Sequence, residues 1–291
     1  MNDQAEALRN LVRKRHEPAS HERQTRIVTV TSGKGGVGKS NFSLNFALTL
    51  HKMGRKVLLF DADIGMANID VLMGVTAKHS LYHLLRQEKT IWDIVQLGPQ
   101  GLHFISGGSG LSDLLQLSEG QLNYFESEIA KLYGLYDVIL FDTGAGLSKE
   151  TVKFIAAAQE TFVVTTPEPT SITDAYALIK MVSAMKIGAE FKLIVNRAGD
   201  RKEGAQTADK MVMAVKRFLN VDLQTLGIVA DDPLVGKSVK KQIPFSVAFP
   251  SGEAVKGVEE IANRFLNAPA AAAAAHGGVR GFVQRMFRLI K

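Results

Sequence analysis

The chain has 291 residues, 46% of them hydrophobic, enough for one large domain with a substantial core or for two smaller ones. It contains no cysteine, which excludes a disulfide framework, a thiolate zinc site and a cysteine-held iron–sulfur cluster, and fits a reducing cytosol. The net charge of +6 belongs to the tails: residues 1–26 hold six basic and four acidic side chains, residues 267–291 hold four basic and no acidic ones, and the body between is neutral. That distribution does not support a generally basic nucleic-acid-binding surface.

The first residues carry Asp3, Glu6 and Arg9 in place of the apolar run of a secretory leader. No apolar run approaches the roughly 18 residues of a membrane span. Gln4, Leu8, Leu11, Val12 and Arg15 fall at helical spacing, so residues 1–16 read as a short amphipathic arm. A polar linker with Pro18 and Ser20 completes the segment 1–25.

Ile27–Thr31 reads as a strand, followed by Gly33-Lys34-Gly35-Gly36-Val37-Gly38-Lys39-Ser40 and a helix near 39–52 carrying Phe42, Leu44, Phe46, Leu48 and Leu50. Strand, glycine-rich loop and helix form the context of a phosphate-binding P-loop. Glycines let successive N–H groups turn inward, and the helix N-terminus adds positive partial charge. The cradle expected for a nucleoside triphosphate runs from Gly33 through Asn41. Within it Lys39 reaches the terminal phosphates and Ser40 holds Mg²⁺. Gly33-x-Gly35-x-x-Gly38 also fits a dinucleotide fingerprint, but such a loop has no use for Lys39-Ser40.

The strand Val57–Phe60 leads into Asp61-Ala62-Asp63-Ile64-Gly65, whose two carboxylates point the same way from an extended segment. Asp61 and Asp63 are both expected to face the phosphates, one near the metal and one polarising the attacking water. After a strand at Leu102–Ile105 and a helix near 119–132, the run Val138–Phe141 ends in Asp142, placed to hold a Mg²⁺-bound water. Thr143-Gly144-Ala145-Gly146 is lean enough for backbone N–H groups, Gly144 among them, to approach a γ-phosphate and to change shape when it leaves. Helices near 148–158, 171–186, 205–219 and 252–266 alternate with strands Phe162–Thr165, Leu193–Val195 and Leu226–Val229. The alternation predicts an α/β fold, a mainly parallel sheet flanked by helices on both faces, over residues 26–266.

Residues 267–278, alanine-rich with Pro269 and Gly277-Gly278, read as a flexible spacer. In 279–291, Val279, Phe282, Val283, Met286, Phe287 and Ile290 line one side of a helix, with Arg280, Gln284, Arg288 and Lys291 largely opposite. Such a helix suits an anionic lipid interface, with Phe282, Val283, Met286, Phe287 and Ile290 entering the membrane. The alternative is a helix docked on the core.

Lys34 through Ser40 resembles the deviant Walker A loop of the MinD/ParA ATPases. Asp61-Ala62-Asp63-Ile64-Gly65 and Phe141-Asp142-Thr143-Gly144-Ala145-Gly146 resemble that family's two switch regions. The resemblance implies ATP and Mg²⁺ as cofactors and slow hydrolysis without a partner. It also implies an ATP-bound homodimer in which Lys34 enters the partner's site and Asp63 prepares the hydrolytic water. Asn196 and Asp232 resemble segments flanking adenine.

Asp3-Gln4-Ala5-x-x-Leu8-Arg9 resembles the activator motif of the family's flagellar-number branch, the FlhG (FleN/YlxH-type) proteins. That resemblance implies an FlhF-like GTPase as partner of residues 1–25 through Gln4, Leu8 and Arg9, and flagellar switch-complex proteins as further partners. It implies a cytoplasmic protein, peripheral on the inner face of the cell membrane when ATP-bound. A ParA-type DNA segregation ATPase and a division-site MinD remain alternatives, although the latter begins almost directly with its first strand. Iron–sulfur carriers of the superfamily need cysteines that this chain lacks.

Overall fold

The computed structural model describes residues 25–63, 68–108, 119–132, 134–268, 281, 282 and 285. Gln4, Leu8 and Arg9, nearly all of the spacer, and the tail positions Val283, Met286, Phe287 and Ile290 lie outside the described residues, as do Ile64 and Gly65.

In chain order the elements are β1 (Arg26–Ser32), α1 (Lys39–Lys52), β2 (Val57–Ala62), α2 (Ile69–Met73), α3 (Leu81–Leu85), α4 (Ile91–Ile94), β3 (Gln96–Leu97) and β4 (His103–Ile105). There follow α5 (Glu119–Ala130), β5 (Val138–Thr143), α6 (Lys149–Ala157), β6 (Glu160–Thr165), α7 (Pro169–Ala184), β7 (Phe191–Ala198) and α8 (Arg201–Leu219). The series ends with β8 (Leu223–Ala230), α9 (Pro233–Lys241), α10 (Phe245–Ala248) and α11 (Glu253–Asn267).

The strands form one sheet in the order β3-β4-β2-β5-β1-β6-β7-β8, parallel except for the short edge strand β3. Its central strands are apolar runs buried on both faces, as a parallel sheet covered twice by helices requires. Alternation along each strand divides the core. Val28, Val30 and Leu140 pack with Phe42 and Phe46 of α1 and Val258 and Phe265 of α11. On the opposite face Ile139 and Phe141 pack with Phe154 of α6 and Phe125 of α5. A third cluster joins α7 and α8 to β6 and β7.

β1 lies between β5 and β6, with earlier strands on one side and later strands on the other. The connections diverge there, and a ligand crevice opens at the carboxyl ends of such strands. The loops after β1, β2 and β5, which carry the three sequence motifs, meet at that crevice.

Candidate nucleotide site

The loop after β1 reaches α1 through two left-handed glycines, Gly36 at φ 80° and Gly38 at φ 88°. Gly38 caps α1 without a side-chain hydrogen bond, so the first N–H groups of the helix remain available to an anion. Gly38 is constrained a second time: a Cβ there would stand 2.4 Å from Asn196 Nδ2. Asn196, on β7, donates that Nδ2 to the Val37 carbonyl at 2.7 Å and thereby ties the loop to the neighbouring half of the sheet. Gly33 lies so close to α7 that a Cβ would come within 2.2 Å of the Asp174 carbonyl carbon.

Lys39 is buried and donates to Asp142 Oδ1 at 3.0 Å and to Ser40 Oγ at 3.2 Å. Ser43, one turn along α1, donates to the same Asp142 oxygen at 2.6 Å. The other oxygen, Asp142 Oδ2, is buried without a partner among the described residues. A buried carboxylate oxygen with no donor, beside a serine hydroxyl, fits a hard divalent cation such as Mg²⁺, which takes oxygen ligands.

Asp61 faces Asp142 in register across the β2–β5 pairing. Its Oδ2 accepts from the N–H groups of Asn68 at 2.9 Å and Ile69 at 3.0 Å, and its Oδ1 from that of Asp63 at 3.2 Å. Three backbone donors thus occupy Asp61, which the sequence reading sets near the metal. Its oxygens hold backbone on both sides of residues 64–67, whereas Asp142 keeps the open oxygen. Burial and the Asp142 charge push the Asp61 pKa up to about 7 against those three donors.

Asp63 is half-buried, with Oδ1 only 3.2 Å from where a Cβ on Gly144 would stand, so the two switch segments touch. Its pKa is raised by burial, opposed by Lys39 and reinforced by Asp142. The Gly146 N–H donates to the Ser32 carbonyl at 2.8 Å, and Thr151 Oγ1 of α6 donates to the Gly144 carbonyl at 3.3 Å. The loop after β5 is thereby fastened to the P-loop strand and to α6.

Lys34 points away from this cluster. Its Nζ donates to Glu168 Oε2 at 2.6 Å and to Thr170 Oγ1 at 2.8 Å, at the start of α7. The Lys34 hydrogen bond and charge hold the Glu168 carboxyl below its ordinary value.

A cleft of about 780 Å³ runs over the P-loop between Asp63, Asn68 and Gly144. A narrower pocket of about 350 Å³ continues past Asn41 and Asn196 to Arg197, Asp231 and Pro233. Together they suit a triphosphate followed by a flat, largely apolar base. Asp232 lines the second pocket, but its oxygens accept from Leu234 N at 2.9 Å and Ala254 N at 3.2 Å, capping α9 and bracing α11. Asp232 therefore builds the wall of the pocket.

A family model described as "ParA: NUBPL iron-transfer P-loop NTPase" matches residues 23–266. Antiactivator FleN of Pseudomonas aeruginosa is 38% identical over 260 residues, covering 89% of this chain and 92% of FleN. The flagellum site-determining protein YlxH of Helicobacter pylori is 36% identical over 271 residues, 92% of this chain and 91% of YlxH. The chain belongs to the ParA/MinD family of P-loop NTPases. Among solved structures, the septum site-determining protein MinD of Pyrococcus horikoshii, complexed with Mg-ADP, superposes with a TM-score of 0.68 at 25% identity, over 84% of this chain and 96% of that one.

The ParA/MinD assignment accounts for the convergence of P-loop, Asp63 and Asp142. Sequence reasoning missed Ser43, Glu168 and Thr170. Ser43 had a detectable signal, since it lies one helical turn beyond Lys39 and so shares its face. Glu168 and Thr170 had none, because only the tertiary approach of α7 to the loop brings them to Lys34.

Of the tail, residues 281, 282 and 285 are described. Phe282, expected in the membrane, is buried against the body, with its ring stacked on Phe141 at 4.6 Å between centroids and tilted against Phe154 at 6.3 Å. Arg285 donates to the Ala157 carbonyl at 2.7 Å. Burial of an aromatic ring in such a pocket is favourable relative to exposure to water.

Proposed function

We propose that the protein is an ATP-hydrolysing MinD-type switch that regulates flagellar number or placement from the membrane. The observation that carries the reading is the likeness to FleN and YlxH along nine-tenths of the chain, combined with a loop that offers two lysines to phosphate chemistry.

In this reading the P-loop amides and Lys39 hold the ATP phosphates, and Asn196 and the Asp231–Pro233 wall enclose the base. Ser40 and Asp142 hold Mg²⁺, which would neutralise charge on the phosphate oxygens. Asp63 orients the attacking water and Gly144 offers its N–H to the γ-phosphate. Two copies pair face to face, and each supplies Lys34 to the other's phosphates, comparable in logic to an arginine finger. Pairing brings two C-terminal helices to one surface, which raises the effective concentration of two weak lipid anchors. The docked Phe282 must leave Phe141 before that helix can enter lipid. Residues 1–25 then meet an FlhF-like GTPase, with Gln4 completing its catalytic site.

Co-sedimentation with anionic liposomes tests the membrane step. ATP should recruit the full chain and not a chain truncated before residue 279; equal binding of both removes the tail from the mechanism. Stimulation of an FlhF-like GTPase by the full chain, lost in Gln4→Ala, tests the partner step. A salt-sensitive shift of unrelated duplex DNA would instead favour the segregation-type reading.

A further inference from the structure

We infer that Glu168 and Thr170 form a latch that holds Lys34 within its own subunit and thereby sets the concentration at which two copies pair. The inference rests on the reading of Lys34 as a residue that acts across a dimer. The Lys34 ammonium sits 2.6 Å from Glu168 Oε2 and 2.8 Å from Thr170 Oγ1. An ammonium engaged there cannot also reach the phosphates of a second copy, so pairing and latching exclude one another.

The loop backbone beside it is fixed, since Gly33 is packed against Asp174 and Ala175 of α7 and the Ser32 hydroxyl donates to the Lys34 carbonyl at 2.9 Å. Switching is thus confined to the lysine side chain, and Glu168 is a positioning residue. The latch is releasable because both partners are reachable by water: the Lys34 side chain is 29% exposed and that of Glu168 55%. An exposed pair of this kind changes an equilibrium by about threefold. A dimer breaks two latches, so the factor enters squared, about tenfold per dimer.

Glu168 precedes α7 but makes no side-chain cap bond to it, so Glu168→Ala removes the latch without removing a helix cap. Light scattering of the full chain with Mg²⁺ and a non-hydrolysable ATP analogue should show Glu168→Ala pairing at about tenfold lower protein concentration than the natural chain. Thr170→Val should act in the same direction and less strongly. In the nucleotide-free protein, amine acylation at Lys34, followed by peptide mass spectrometry, should be about threefold faster in Glu168→Ala. Unchanged or weaker pairing in Glu168→Ala, with the natural chain pairing normally, overturns the latch and leaves the dimer reading intact. No pairing in either protein overturns the dimer reading, and the gating role falls with it, whatever the acylation rate.

Discussion

Asp142 is where the chemistry of single residues is most exposed to test. One of its oxygens takes Lys39 and Ser43, the other has no partner among the described residues, and Asp61 lies opposite in register. Two buried carboxylates side by side resist simultaneous ionisation. Asp61, with a pKa raised from 3.8 to about 7, holds a proton in the folded chain at pH values where the unfolded chain has released it. The contribution of this group to stability is therefore lost as pH rises from about 4 towards 7, and regained on acidification, at up to about 1.4 kcal/mol per pH unit. Thermal unfolding of the nucleotide-free protein between pH 4 and 7 should show that slope, and Asp61→Asn should flatten it.

Lys39→Gln should lower nucleotide affinity at least tenfold, by titration calorimetry, and should also cost about 3 kcal/mol of stability, because Asp142 would lose its buried counter-charge. Asp63→Ala should bind nucleotide normally yet lose hydrolysis and persist as a dimer in phosphate-release and light-scattering measurements. Loss of dimerisation in that variant would remove Asp63 from the water-orienting role. The convergence that sequence made legible is that of residues tied to a motif with fixed spacing, namely Lys39, Ser40, Asp63 and Asp142. Asp61 has the same motif credentials, but its hydrogen bonds depend on where α2 begins, which spacing alone does not specify.

At the scale of elements, the seven parallel strands and the long helices were legible because burial on both faces leaves apolar runs and amphipathic helices leave a period. The pieces that went unread, β3, α2, α3, α4, α9 and α10, are two to nine residues long. Too few turns fit in such lengths for a period to register, and their start signals are caps read only in three dimensions. The side chain of Ser80 closes a capping box with His83, and Asp232 caps α9. Contacts between elements were equally silent. Gly33 reads as one more loop glycine, whereas its place is dictated by α7. Gly33→Ala should destabilise the protein by about 1–3 kcal/mol in urea unfolding, through overpacking against the Asp174 backbone. Gly35→Ala, with nothing within 4 Å of the added carbon, should be far milder.

On the scale of the whole molecule, the sheet separates the P-loop cleft from the Phe282 pocket by its faces. Asp142 looks toward α1 and the phosphate cleft, while Phe141, one residue earlier, looks toward the opposite face and carries Phe282. Phe154→Leu keeps that face apolar but removes a ring from the Phe282 pocket. It should raise nucleotide-free liposome binding several-fold while leaving nucleotide affinity near its natural value. No change in liposome binding would mean that docking of Phe282 does not restrain the tail.

The adjacency of Phe141 and Asp142 carries an obligation of its own. Should nucleotide at one face loosen the ring at the other, the two equilibria share one coupling free energy, and the influence must run equally in both directions. A bilayer that captures the tail would then tighten nucleotide binding by the same factor by which nucleotide promotes capture. The membrane would serve as an effector of the site as well as its destination, and vesicles alone would lower the dissociation constant of the nucleotide.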